Sequence, residues 1–220
     1  IPSYFGKMKS KLRNLQSISR AFQVAERHYD IGNDLFSLML DKTMMYTCGY
    51  WTKDVSTLEE SQLAKLDLVA KKLNLKAGMK ILDIGCGWGG AAKHFANNYG
   101  VTVVGITISK EQIEYAKQNS DNMDVEFRLM DYRNLDEKFD AIYSIGMFEA
   151  VGYKNYKDFF EVIRSCLKEE GAFLLHTIGG NETTTTADPW IAKYIFPNGM
   201  MPSAEQIAKA SEGVFIFDDW

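Results

Sequence analysis

The sequence predicts an α/β fold: an open, doubly wound, mostly parallel sheet, with a helical segment added at its N-terminus. Three observations predict it. From about residue 58 the apolar pattern alternates between helix and strand periods. A glycine-rich turn, Gly85-Cys86-Gly87-Trp88-Gly89-Gly90, stands directly between a short apolar strand and a helix. The 220 residues suffice for one full α/β domain with an appended segment, and not for two compact domains.

The elements follow in order. Residues 58–73 read as a helix, because Leu63, Leu66, Val69, Ala70 and Leu73 fall on one face. Lys80-Ile81-Leu82-Asp83-Ile84 is a strand that enters the glycine turn. Residues 91–98 form a helix closed by Gly100, and 101–106 a β-branched strand. A helix over 109–118 comes next, then strands at 125–129, 141–145 and 172–178, with a helix over 156–167 between the last two. Strands alternating with helices imply parallel pairing through right-handed crossovers, and a ligand at the carboxyl ends of the strands. Residues 1–57 do not share this rhythm and are expected to be helical.

Composition narrows the class. With 46% hydrophobic and 25% charged residues the chain has the balance of a soluble globular protein. It has no apolar run long enough to span a bilayer, and residues 1–20 lack the continuous apolar region of a signal peptide. Cys48, Cys86 and Cys166 show no paired spacing, so a reducing cytoplasm is the expected compartment and no metal site is expected. The net charge of -4 hides a basic start: Lys7, Lys9, Lys11, Arg13, Arg20 and Arg27 stand against Glu26 alone. Phe5, Leu12, Leu15, Ile18 and Phe22 recur there every three or four residues. That pattern suits the surface of an anionic membrane, or a helix docked on its own core. Nucleic acid is disfavoured, since the rest of the chain is acidic. The chain begins at Ile1 and ends at Trp220 just after Val214-Phe215-Ile216-Phe217, and it reads as part of a longer one, truncated at the C-terminus.

Gly85, Gly87 and Gly90 make a GxGxxG turn whose backbone a ligand can approach closely. Nicotinamide proteins use the same spacing, but two features separate the readings. Asp83 lies two residues before Gly85, where a carboxylate repels a pyrophosphate and suits an ammonium group. The second strand ends Gly105-Ile106-Thr107, without the acid that a dinucleotide ribose needs. The plainer role for Asp83 is to brace the turn, and Cys86 reads as a small residue in a tight bend.

Asp83-Ile84-Gly85-Cys86-Gly87-Trp88-Gly89-Gly90 resembles the first motif of class I methyltransferases, a Rossmann-like family that binds S-adenosylmethionine. The resemblance implies that Asp83, Gly85, Cys86 and Gly87 hold the methionine part, and that Thr107 and Gln112 replace the usual ribose-binding acid. It also implies that Asp131, Tyr132 and Arg133 lie near the adenine. Ser109-Lys110-Glu111-Gln112 also reads as a capping box opening a helix, so Gln112 has a structural role available.

Further stretches narrow the resemblance: His28-Tyr29-Asp30-Ile31-Gly32-Asn33-Asp34, Tyr46-Thr47-Cys48-Gly49-Tyr50-Trp51, Gly146-Met147-Phe148-Glu149, Leu174-Leu175-His176-Thr177-Ile178-Gly179, and Asp188-Pro189-Trp190-Ile191 through Tyr194-Ile195-Phe196-Pro197. In this order, and with Gly105-Ile106-Thr107-Ile108-Ser109, they closely resemble the cyclopropane-fatty-acyl-phospholipid synthases and the mycolic acid cyclopropane synthases over nearly the whole chain. The resemblance implies addition of a methylene from S-adenosylmethionine across a cis double bond of an unsaturated phospholipid acyl chain, at the inner face of the membrane. A carbocation would be deprotonated by a bound bicarbonate surrounded by Cys48, Glu149, His176 and Ile178. Tyr46 and Thr47 would contact the cofactor. Residues 1–57 would contribute to the substrate and cofactor pocket, residues 58–220 would form the cofactor-binding domain, and a homodimer is compatible with the family. Taken singly, His176 reads as a core histidine, Glu149 as a helix-terminal charge and Cys48 as a small buried residue. Ala150 departs from the histidine that many relatives carry there. A related methyl transfer to a heteroatom, or a cofactor-binding fragment with little activity, are the alternative readings.

Overall fold

The computed structural model describes residues 32–220 together with Asn14, Gln16, Ser17 and Tyr29. The basic amphipathic pattern of residues 1–28, and His28 with it, otherwise lies outside the described residues.

The sheet has five strands: β1 (Lys80–Ile84), β2 (Thr102–Thr107), β3 (Val125–Leu129), β4 (Phe139–Ile145) and β5 (Leu167–His176). Their order is β3-β2-β1-β4-β5, and every neighbouring pair is parallel. Among the described residues the α-helices are α1 (Asp34–Met39), α2 (Leu58–Lys72), α3 (Gly90–Tyr99), α4 (Lys110–Gln118), α5 (Tyr156–Cys166), α6 (Pro189–Tyr194) and α7 (Ala204–Ser211). Among the described residues no helix is long and apolar enough to cross a membrane.

Two apolar layers sandwich the sheet. Leu66, Val69, Ala92, Phe95 and Ile113 of α2, α3 and α4 pack with Ile81, Val103 and Tyr143 on one face. Phe159, Phe160 and Ile163 of α5, with Ile207 of α7, pack with Leu82, Ile84 and Ile142 on the other. Strand periodicity puts Asp83 on the same face as Ile81, at the carboxyl end of β1. The chain turns in opposite directions from β1 to reach β2 and β4, so the crevice above β1 and β4 is the topological switch point where open α/β sheets take ligands.

The local signals explain the boundaries. Thr57 and Glu60 form a reciprocal capping box at the start of α2. Gly100, at φ 64°, ends α3. Strand β5 starts earlier than expected: Leu167 already pairs with Phe139, and the register then slips before Ala141 meets Ala172. The intervening Lys168-Glu169-Glu170-Gly171 is too polar to read as strand, and the bulge absorbs it.

The N-terminal expectation is corrected in part. Of residues 32–57 only α1 is helical. Beyond it the chain turns where Asp41 takes the Thr43 N–H at 3.1 Å, and Met44 adopts φ 55°. These local bonds compete with helix, and the segment then runs irregularly across the carboxyl edge of the sheet.

Candidate active site

The glycine turn is closed from below and covered from above. The Gly85 and Cys86 amides both donate to the Ile106 carbonyl, at 2.9 and 3.0 Å. Gly85 has φ 85°, and a Cβ there would stand 2.7 Å from Met147 Cβ, so both backbone and space demand glycine. A Cβ on Gly87 would meet nothing within 4 Å, which leaves that backbone facing open space. Trp88 is buried, donates from Nε1 to Asn33 Oδ1 at 2.7 Å, and packs on Phe36 with ring centroids 4.7 Å apart. The N-terminal segment is therefore fastened to the turn.

Asp83 is buried at the carboxyl end of β1, and its Oδ2 accepts from the Tyr143 hydroxyl at 2.9 Å. Burial raises its carboxyl to about 7, against the smaller lowering effect of that hydrogen bond. Among the described residues Oδ1 has no hydrogen-bond partner. A buried carboxylate with one oxygen to spare, beside an open glycine backbone, fits the ammonium and carboxylate of an amino acid.

At the end of β2 the Thr107 hydroxyl donates to Gln112 Oε1 at 2.8 Å. Ser109 caps α4 by accepting from the Gln112 N–H at 3.2 Å. Gln112 thus supplies only half of the expected capping box; its side chain turns back to Thr107 instead. Past β3, the buried Asp131 takes both the Nε and Nη2 of Arg133, at 2.8 and 2.7 Å. The Tyr132 ring belongs to the core against Phe159, and its buried hydroxyl has no partner. Cys86 is buried too, and burial pushes its thiol well above the usual range, as suits a packing residue.

The second group of residues converges above β4 and β5. His176 ends β5 beside Ile145, and its carbonyl accepts from the Gly146 N–H at 2.9 Å. Its Nε2 lies 3.6 Å from the sulfur of Cys48, an exposed side chain. Glu149 follows β4 in a short 3₁₀ turn, and its Oε1 accepts from the Ile178 N–H at 2.6 Å. Cys48, His176, Glu149 and Ile178 thus come from three separate segments and form two contacting pairs. Glu149 Oε2 is buried with no partner among the described residues, and His176 Nδ1 with none there beyond its own backbone. Burial and the nearby Lys65 lower the proton affinity of His176. Orphaned buried polar atoms of both kinds, an acceptor and a ring nitrogen, are what a small hydrogen-bonding ion would satisfy.

Tyr46 belongs to an aromatic group, its ring 5.4 Å from Phe36 and 6.5 Å from Phe196. Tyr29 joins the same aromatic group against Trp88 and Phe196. Thr47 rests its methyl on Gly146, where a Cβ would come within 2.5 Å. Tyr143, Lys65 and Tyr156 were not singled out in the sequence. The buried hydroxyl of Tyr156 also lacks a partner, and its proton is held more tightly by burial and by Glu149. Lys65 carried a signal: with Ser61 and Gln62 it interrupts the otherwise apolar buried arc of α2.

A parallel sheet of this order, with an acid-bearing strand feeding a glycine turn, defines the class I methyltransferase fold. The chain belongs to the mycolic acid cyclopropane synthetase family, whose model matches residues 16–217. It is 56% identical to the cyclopropane-fatty-acyl-phospholipid synthase of Escherichia coli (strain K12) over 96% of this chain, and spans 55% of that protein's length. It is 39% identical to cyclopropane mycolic acid synthase 3 of Mycobacterium tuberculosis over 88% of this chain and 73% of that one. Among solved structures, the cyclopropane synthase MmaA2 from Mycobacterium tuberculosis superposes with a TM-score of 0.84 at 36% identity, covering 90% of this chain and 76% of that one. The mycolic acid cyclopropane synthase CmaA1 complexed with SAH and CTAB gives 0.80 at 36% identity, covering 87% and 73%. Coclaurine N-methyltransferase, at 24% identity and a TM-score of 0.71, shares the fold.

Proposed function

We propose that the chain carries the catalytic part of a lipid cyclopropane synthase, converting a cis double bond of an unsaturated phospholipid acyl chain into a cyclopropane ring. The observation that carries this reading is the pairing of Cys48 with His176 and of Glu149 with the Ile178 amide, around two orphaned buried polar atoms.

S-adenosylmethionine, the cofactor this reading requires, supplies a methyl group on a sulfonium. Asp83 holds its ammonium through Oδ1, and Gly85 and Gly87 let the backbone approach it. Gln112, oriented by Thr107, reaches the ribose. Asp131, clamped by Arg133, borders the adenine. Tyr46 offers an aromatic face to the sulfonium, and Thr47 sets its position. The alkene is a weak nucleophile, so the Tyr29, Phe36, Tyr46 and Phe196 rings act by holding the acyl chain in line and excluding water.

The alkene π electrons would form the bond to the methyl carbon as that carbon's bond to sulfur breaks, leaving a neutral thioether and a carbocation on the neighbouring alkene carbon. Loss of one proton from the new methyl closes the ring. A bicarbonate bound here would supply the base. Glu149 Oε2 and His176 Nδ1 are the atoms that would hold it, with the Cys48 and Ile178 backbones beside them. A low proton affinity keeps the His176 ring neutral and able to accept a hydrogen bond.

Residues 1–57 complete the pocket of the 58–220 domain. The Trp88–Asn33 bond, and that between Thr47 and the Gln62 amide, support this division. A membrane lipid substrate implies docking at the anionic inner face of the membrane, with the basic start of the chain as the contact. The test is direct: labelled S-adenosylmethionine and vesicles of unsaturated phospholipid are supplied, and the fatty acids are weighed. A gain of one CH₂ with loss of the double bond is expected; label on a headgroup or heteroatom overturns the reading.

A further inference from the structure

Lys65 is 4% exposed, on the inner arc of α2. Burying a lysine costs free energy that a methionine of similar length would not incur, so its charge needs an account. Among the described residues no carboxylate lies within ion-pair distance of it. Its hydrogen bond is to the Thr47 hydroxyl oxygen, at 2.6 Å. One turn earlier on α2, Gln62 donates from Nε2 to the Thr47 carbonyl at 2.7 Å. Helix α2 therefore grips Thr47 by both side chain and backbone. Thr47 in turn presses on Gly146, and Gly146 is bonded to the His176 carbonyl. The next residue, Cys48, reaches the His176 ring.

We propose that Lys65 is a positioning residue of this site: its buried ammonium pins the 46–48 turn through Thr47, seats Cys48 against His176, and supplies the fixed positive charge that an anion held there meets.

The charged and titratable groups around Lys65 agree with this role. Asp41 and Cys48, from the segment above it, favour its charged form, and burial opposes it, so its pKa falls to about 8. The ammonium is therefore present at neutral pH. His176, from β5, feels the charge, which adds to burial in keeping its ring neutral. The other residues of the buried arc of α2, Ser61, Gln62, Leu66, Val69 and Ala70, are uncharged.

The anion half of the proposal rests on the reading given under Proposed function; the coupling to His176 does not. The test is an NMR titration of the histidine rings in the whole chain, with and without sodium bicarbonate. It compares the wild type with Lys65→Met, Lys65→Arg and Lys65→Gln, and a His176 substitution assigns the signal. Loss of the charge in Lys65→Met raises the His176 midpoint toward that of an ordinary histidine, and Lys65→Arg keeps it low. Lys65→Gln retains a donor for Thr47 and separates charge from hydrogen bond, and it serves if Lys65→Met fails to fold. In wild type, bicarbonate raises the midpoint, and without the charge the concentration needed rises roughly tenfold or more. A His176 midpoint unmoved in both neutral variants overturns the role of Lys65. If bicarbonate leaves wild-type His176 unmoved, the anion half is overturned, while the titration of the variants still decides the coupling.

Discussion

The Tyr143 hydroxyl donates to Asp83 Oδ2 at 2.9 Å, a bond between two buried side chains of which Tyr143 belongs to the first apolar layer. The bond orients the carboxylate but does not offset its burial, which lifts Asp83 from 3.8 to about 7. Because the folded value lies above the unfolded one, the stability linked to the protonated form is complete below about pH 4 and is lost as pH rises through about 7. Asp83→Asn keeps an acceptor for Tyr143 and never ionises. The ligand-free variant is expected to melt higher than wild type at pH 8, with the gap narrowing below about pH 7 and closing only near pH 4. Its affinity for S-adenosylmethionine is expected to fall sharply at pH 8, and the wild-type affinity to weaken below pH 7. Thermal melts and calorimetric titrations across pH check both. Undiminished affinity in the Asn variant rules out Asp83 as the ammonium ligand.

Much of this was legible in the sequence because the chemistry is local. Strands β1 and β3 have the expected bounds, β1 as a short apolar run and β3 as an alternation of apolar and charged residues, and Asp83, the glycine turn and Thr107 sit at the ends of apolar runs. Tyr143 and Lys65 were not legible as site residues. Each acts on a partner in another element, Asp83 across a strand pair and Thr47 across a helix–loop contact, and sequence spacing does not encode such meetings. Tyr132 and Arg133 show the same limit. One neighbours the core ring of Phe159 and the other chelates Asp131, distinctions that depend on where the chain goes after β3. The irregular path of residues 40–57 escaped notice because its Asp41–Thr43 turn only makes sense once Trp88 and α3 are there to be covered.

Thr107→Val tests the ribose end of the cofactor site. The change removes the donor to Gln112 Oε1 and the acceptor of the Ser109 N–H while keeping the shape. Leaving two buried polar groups unpaired is expected to cost about 1–3 kcal/mol of stability. The helix cap survives, because Ser109 still accepts from the Gln112 backbone. If Gln112 holds the ribose, affinity for S-adenosylmethionine drops on the order of tenfold as its side chain loses orientation. A variant that is less stable but binds as tightly assigns the pair to packing alone.

Gly146→Ala addresses the floor under the 46–48 turn. Gly146 has φ 72°, and a Cβ would lie 2.5 Å from Thr47 Cγ2. Strain and overpacking together are expected to lower stability by about 1–3 kcal/mol. Displacing Thr47 also lifts Cys48 from His176. Turnover should therefore fall by a larger factor than cofactor affinity, since Asp83 and the glycine turn are untouched. Equal losses in both, measured by steady-state kinetics and cofactor titration, argue that the turn merely supports the fold.

Glu149→Gln separates the charge of the second site from its architecture. Oε1 accepts the Ile178 N–H at 2.6 Å, and the Glu149 carbonyl accepts from Met200 N–H at 2.9 Å, so an amide in place of the carboxylate can keep both contacts. What changes is the buried, unpartnered Oε2, which becomes a donor group without charge. If this oxygen helps hold the base and balance the cationic intermediate, methylene incorporation into vesicle lipid falls by about 10²-fold or more. Cofactor affinity should stay within about twofold, because the hydrogen bonds of Glu149 go to Ile178 and Met200 rather than to the residues proposed to bind the cofactor, and affinity moves little when binding contacts are left alone. Retained incorporation by the Gln variant removes Glu149 from the chemistry and leaves it as the residue that anchors the strand end at Ile178.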